Sequence, residues 1–334
     1  MGGVEMGSET ADDVGSNPES VAKQAFQERP TTNVNIIQPE PLDATDDDPY
    51  RLCEPIAKST AAVDDERYLR NGQSMTAWNA VGSYILRRRG ERVSAEKHGY
   101  KKTRHWRAKR QYARGKEMDR QLLEEYTYPS IALLSLRVSP KRKSRLTLLS
   151  RMKEAIDAAI DQLRYRLQRS PNAGFESDEW QYFAVIAGTK KQATPHVHIV
   201  VYCDGAVDQS EFEPVVEKFV EKCPDAPDSM RGNKPDEGAV KIRGLGKEDI
   251  PRMDDDPGES AVSTYVLGQL PHLQSVGEMA LDELLHSSTV DAWQGRAFRR
   301  SNYKVWNDDE EAVEEKELEV DTTQSSADGL AALM

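Results

Sequence analysis

The segment Trp180–Cys203, WQYFAVIAGTKKQATPHVHIVVYC, decides how this 334-residue chain folds. Two runs rich in β-branched and aromatic residues, Trp180–Gly188 and Pro195–Cys203, flank the polar loop Thr189–Thr194, which is the pattern of two strands paired as a hairpin. Upstream, Ile131–Val138 (IALLSLRV) is too apolar and too short for a surface helix and reads as a buried strand. Between it and the hairpin, Leu149, Met152, Ile156, Ile160, Leu163 and Leu167 recur three or four positions apart, the single apolar stripe of a long helix. Downstream, Ser210–Cys223 repeats that helical pattern through Phe212, Val215, Val216 and Phe219, and Ala239–Arg243 reads as a further strand. The order strand, helix, strand, strand, helix, strand predicts an α+β fold of the split βαβ, ferredoxin-like kind. It is an antiparallel sheet with helices on one face. Glu259–Leu270 adds a helix that closes before Pro271.

Charge divides the chain differently from hydropathy. The net charge is −12, yet residues 1–50 and 307–334 each carry about −9, which leaves about +6 for residues 51–306. Acidic residues, scattered prolines and the absence of an apolar period make 1–63 and 307–334 read as disordered tails that aid solubility. Residues 64–128 form a basic, mostly helical segment, in which Arg87, Arg88, Arg89, Arg104, Arg107, Arg110 and Arg114 alternate with Trp78, Tyr84, Trp106 and Tyr112. Cations track phosphates and rings stack on unpaired bases, so this segment suits single-stranded nucleic acid. Residues 129–306 hold the sheet and the site. Cys53, Cys203 and Cys223 are an odd set without C-x-x-C spacing, and no run of apolar residues is long enough to span a bilayer; a reducing, cytoplasmic setting without membrane partners is expected.

Within the hairpin, His196 and His198 are two apart on one strand, so both imidazoles project from the same face. Two neutral imidazoles side by side supply half the ligands of a divalent metal; two histidines on the polar face of a half-buried strand are the plainer reading. A cupin would require a glutamate four or five positions onward, where Tyr202 and Cys203 stand, and a two-histidine phosphoesterase would require a second His-x-Ser/Thr element.

Three motifs in this order resemble the HUH endonuclease superfamily, in particular the rolling-circle replication initiators of haloarchaeal plasmids and viruses. The apolar strand Ala132–Ser139 is similar to the first motif, His196-Val197-His198 to the second, and Ser263–Pro271, whose tyrosine lies on the helix, to the third, which carries the nucleophilic tyrosine. The flanks Arg107–Tyr126 and Trp293–Trp306 are similar as well, so the resemblance covers residues 65–306. It implies a Mn- or Mg-dependent enzyme that nicks one DNA strand at a replication origin. Tyr265 would form a 5′-phosphotyrosyl bond and leave a 3′-hydroxyl primer, with host helicase and polymerase as further partners. Arg104, Arg107, Arg110, Arg114, Arg296, Arg299, Arg300 and Lys304 are the expected DNA contacts. Two features depart from the family. The position three beyond the tyrosine, often lysine, is Gly268, with Gln269 next to it as an auxiliary candidate, and no second tyrosine follows one turn later. The third metal ligand is left open; Gln181 is the nearest polar residue on the adjoining strand. A transposase or relaxase of the same superfamily, and a DNA-binding protein without catalysis, are the alternatives.

Overall fold

The computed structural model describes residues 67–70, 73–98, 103–139, 143–169, 174–189, 193–230, 238–253 and 258–306. The acidic ends 1–63 and 307–334, read from sequence as disordered, lie outside the described residues. A two-stranded ribbon, β1 (Arg67–Arg70) and β2 (Gln73–Thr76), leads into helices α1 (Ala77–His98) and α2 (Arg104–Glu125). Then follow β3 (Pro129–Arg137), α3 (Arg145–Arg169), β4 (Trp180–Gly188), β5 (Pro195–Asp204), α4 (Glu213–Lys222) and β6 (Val240–Leu245). Helices α5 (Ala261–Leu267) and α6 (Leu281–Trp293) and the short strand β7 (Phe298–Arg300) complete the described chain. None of the described helices is long and apolar enough to cross a membrane.

The five-stranded sheet is antiparallel throughout, in the order β6-β3-β5-β4-β7. Its first four members are the split βαβ arrangement expected from sequence: the β4–β5 hairpin inserts β5 between β3 and β4, which the α3 crossover would otherwise leave adjacent. Alternation then sorts the side chains. Leu134, Leu136, Val197, Ile199, Val201, Ala184 and Ile186 pack with Met152, Ile156, Leu163 and Leu167 of α3 and with Val215, Val216 and Phe219 of α4. Each fully buried Leu or Ile of that stripe contributes about 1.5–3 kcal/mol of apolar transfer, which fixes both helices to this face.

The opposite face carries Ile131, Leu133, Phe183, Val185, Val200 and Tyr202. It is covered over part of its length by Met118, Leu122 and Leu123 of α2, by Val262, Val266 and Leu267 of α5, and by Tyr303, Val305 and Trp306. The basic helix α2 is therefore also a layer of the fold. Its contact with α5 is close: a Cβ on Gly115 would lie 2.6 Å from Leu267 Cδ2, so this crossing admits only glycine without displacement. Helix α1 packs instead on α6, through Ala80, Val81, Tyr84, Ile85, Leu284 and Leu285.

Candidate active site

His196 and His198 project from the second face of β5, the face on which α2 and α5 pack, and His198 is buried there. Across the ladder Ser135 lies opposite His198 and Arg137 opposite His196 on β3, with Val185 and Ala187 opposite them on β4. The two imidazoles stand edge to face with centroids 4.6 Å apart, and their Nε2 atoms approach to 2.9 Å. His198 Nδ1 is 3.0 Å from Ser135 Oγ, and His196 Nδ1 is directed at the carbonyl oxygen of Thr194 at 3.5 Å. With Nδ1–H donating in each ring, both Nε2 lone pairs converge on one point, an arrangement a cation relieves. Two imidazole nitrogens bound at about 2.1 Å to one ion and at a right angle are ~3.0 Å apart, so the pair has the spacing of neighbouring ligands.

Burial holds both rings neutral. It lowers the His196 pKa, and it lowers that of His198 well below the ordinary value, with His196 adding repulsion. Neutral imidazole is the ligating form. Among the described residues no group of three or more His, Cys, Asp or Glu side chains is gathered to hold a metal. Gln181 does not supply the third ligand: it stands opposite Tyr202, four positions from the partner of His198, roughly 13 Å along the strand. Its amide nitrogen donates to the Ser177 carbonyl.

Tyr265 lies on α5, half-buried, with its ring 5.8 Å from that of His198 at an interplanar angle of 65°. The sequence thus brings to one place the histidine pair and the tyrosine of its three motifs, and Ser135 of the first motif touches the second. The helix is shorter than its sequence pattern, Ala261–Leu267 instead of Glu259–Leu270, and Gly268 caps it. Gln269 consequently lies beyond the helix and turns its amide toward the Tyr265 carbonyl at 3.4 Å, not toward the phenol.

Other tyrosines are committed elsewhere. Tyr202 is fully buried and donates to Asp119 Oδ1 at 2.5 Å. Tyr303 donates to Glu125 Oε2 at 2.9 Å, and burial and that carboxylate push its phenol far up.

The expected DNA contacts separate into inward and outward residues. Arg114 is buried and donates to the Trp306 carbonyl, and Arg104 is held in ion pairs with Glu91 and Asp291, so both brace the fold. Arg299 points to the α3 face and pairs with Asp157 at 3.0 Å. Lys304 pairs with Glu125. Arg107 and Arg296 are exposed, Arg110 stacks on Trp106 at 5.3 Å, and Arg300 lies over the Trp306 ring at 4.7 Å on the histidine side of the sheet.

An antiparallel split βαβ sheet bearing two convergent imidazoles, with a tyrosine ring packed against one of them, defines a class: α+β proteins with a His-x-His strand facing a tyrosine helix. A family model described as "Putative rep protein (DUF1424)" matches residues 71–322, three quarters of the chain, and the protein belongs to that family of Rep proteins. No curated protein and no solved structure matches the chain.

Proposed function

We propose that this Rep protein is an HUH-type replication initiator, a divalent-metal-dependent endonuclease that nicks single-stranded DNA at an origin through Tyr265. The observation that carries the reading is the packing of the Tyr265 ring against His198, whose Nε2 lies 2.9 Å from that of His196. His196 and His198 would hold the ion, Mn²⁺ or Mg²⁺, and Ser135 would fix the orientation of His198. When bound, such an ion withdraws charge from the scissile phosphate.

Tyr265 attacks phosphorus through its phenolic oxygen and gives up its proton. The bond from phosphorus to the 3′-oxygen breaks, that oxygen takes a proton, and the products are a 5′-phosphotyrosyl linkage and a 3′-hydroxyl. A phenol of ordinary pKa near 10 needs neighbouring positive charge to react near neutrality. The released 3′-end primes a polymerase, with host helicase opening the duplex, in the cytoplasm. We infer service to a plasmid or virus of the haloarchaeal kind, a reading supported by the sequence flanking the three motifs.

The test is incubation with an origin-containing oligonucleotide and Mn²⁺, followed by peptide mass spectrometry. The expected product is a nucleotide adduct on the peptide containing Tyr265, absent when EDTA replaces Mn²⁺. Intact oligonucleotide in both samples overturns the reading.

A further inference from the structure

Three cations outside the expected DNA contacts surround the histidine face. Arg137, exposed at the end of β3, is the cross-strand neighbour of His196 and shares the face of Ser135. Lys241 on β6 is opposite Leu133, whose side chain lies on the same face. Arg243 stands at an irregularity: Gly244 pairs with Ile131 and Ile242 with Ala132, so Arg243 is the extra residue of a β-bulge. A bulge re-aims the side chain it inserts and recurs beside active sites. Here the inserted residue is Arg243, two positions beyond Lys241 on the edge strand. The half-buried guanidinium is pulled down from its ordinary pKa by burial, against an opposing charge interaction with Tyr265.

Among the described residues none of these three side chains has a carboxylate partner, whereas Arg104, Arg299 and Lys304 each do. Among the described residues strand β6 is the terminal strand of the sheet, paired with β3 alone. An unpaired guanidinium costs free energy to desolvate and has five donors to satisfy, which a phosphate does bidentately.

We propose that Arg137, Lys241 and Arg243 form the phosphate track along the β3–β6 edge that carries single-stranded DNA across the site, with Arg243 contacting the scissile phosphate. Arg243 then supplies, from strand β6, the positive charge for which Gly268 at the end of α5 has no side chain. The contact with the scissile phosphate rests on Tyr265 being the nucleophile; the track does not.

The experiment is therefore done first on full-length Tyr265→Phe protein, by the salt dependence of binding to a fluorescent single-stranded oligonucleotide. Each track cation that neutralises one phosphate contributes about 0.7 to the slope of log K against log salt. Arg137→Gln, Lys241→Gln and Arg243→Gln are each expected to lower the slope by about that amount, and the triple variant by about 2. Substitution of Lys153, exposed on α3 at the opposite face, is expected to leave it unchanged. A triple variant with the parental slope and an unchanged melting temperature overturns the track.

In the protein retaining Tyr265, Arg243→Gln is expected to slow adduct formation about 100-fold, the usual scale for loss of one transition-state donor. Arg243→Lys should recover part of that rate. Adduct formation by Arg243→Gln within twofold of the parent overturns the scissile-phosphate contact. A lowered slope together with an adduct that persists in Tyr265→Phe would keep the track and remove Tyr265 as nucleophile, so the two failures are distinguishable.

Discussion

Tyr202, Tyr265 and Tyr303 all approach the same face of the sheet, and what separates them is the partner of each hydroxyl. Tyr202 and Tyr303 donate to carboxylates, Asp119 and Glu125, which keep the phenol protonated. The Tyr265 ring packs against the His198 imidazole instead. Tyr265→Phe removes one oxygen and preserves the ring packing, so single-stranded DNA binding should persist while the covalent adduct disappears. An adduct retained in Tyr265→Phe and lost in Tyr303→Phe would relocate the nucleophile to the C-terminal basic segment. His196→Ala or His198→Ala should likewise stop cleavage, with an unchanged melting temperature showing that the chain stays folded. The histidine pair was legible because strand periodicity alone puts both rings on one face. Ser135 was legible only as a polar interruption in an apolar strand, and its pairing with His198 needed the register. Arg243 was not legible at all, because the bulge that aims it depends on how β3 and β6 fit together.

Helix α5 has seven residues, too short to be stable by itself; it is held by the apolar packing of Val262, Val266 and Leu267 and by one carboxylate. Asp119 of α2 accepts from the backbone N–H and the hydroxyl of Ser260, the N-cap of α5, at 2.6 and 2.7 Å, and from Tyr202 of the histidine strand. It thereby ties the tyrosine helix to the histidine strand. Burial raises the Asp119 pKa to about 6, against the opposing effect of the donors from Ser260 and Tyr202. Because the folded value lies above the unfolded one, near 4, the native state retains this proton to higher pH. The group's contribution to stability is complete below about pH 4 and is lost as pH rises through 6, a change of roughly 3 kcal/mol. The stability difference between the parent and Asp119→Asn, measured by denaturant at several pH values, should shift against the parent by up to that amount over this window. A difference independent of pH would show that Asp119 is not destabilised by burial. Apolar periodicity revealed α3 and the sheet strands. It did not reveal α6, where His286, Ser287, Ser288 and Thr289 are all buried and conceal the stripe, nor β7, three residues long with two arginines.

At the scale of the whole molecule the sign of the charge is misleading. A chain of net charge −12 would be repelled by DNA if its charge were spread evenly, but about −9 is concentrated at each end and about +6 lies between them. Within that interior the cations divide again by burial: Arg104 and Arg114 satisfy the fold, while Arg107, Arg137, Arg296 and Arg300 are exposed. Composition could show the basic interior but not this division, which follows from which side of α2 and of β7 faces the sheet. A fragment of residues 64–306 should therefore bind single-stranded DNA at least as tightly as the full chain, since removing acidic ends removes repulsion and no phosphate contact. Its affinity should fall steeply with salt, because each neutralised phosphate releases a counterion. With the cations unchanged, the slopes of the fragment and the full chain should be similar while the intercept favours the fragment at low salt. A correctly folded fragment that fails to bind at low salt would show that the basic interior is a solvated surface of the protein and not its interface with DNA.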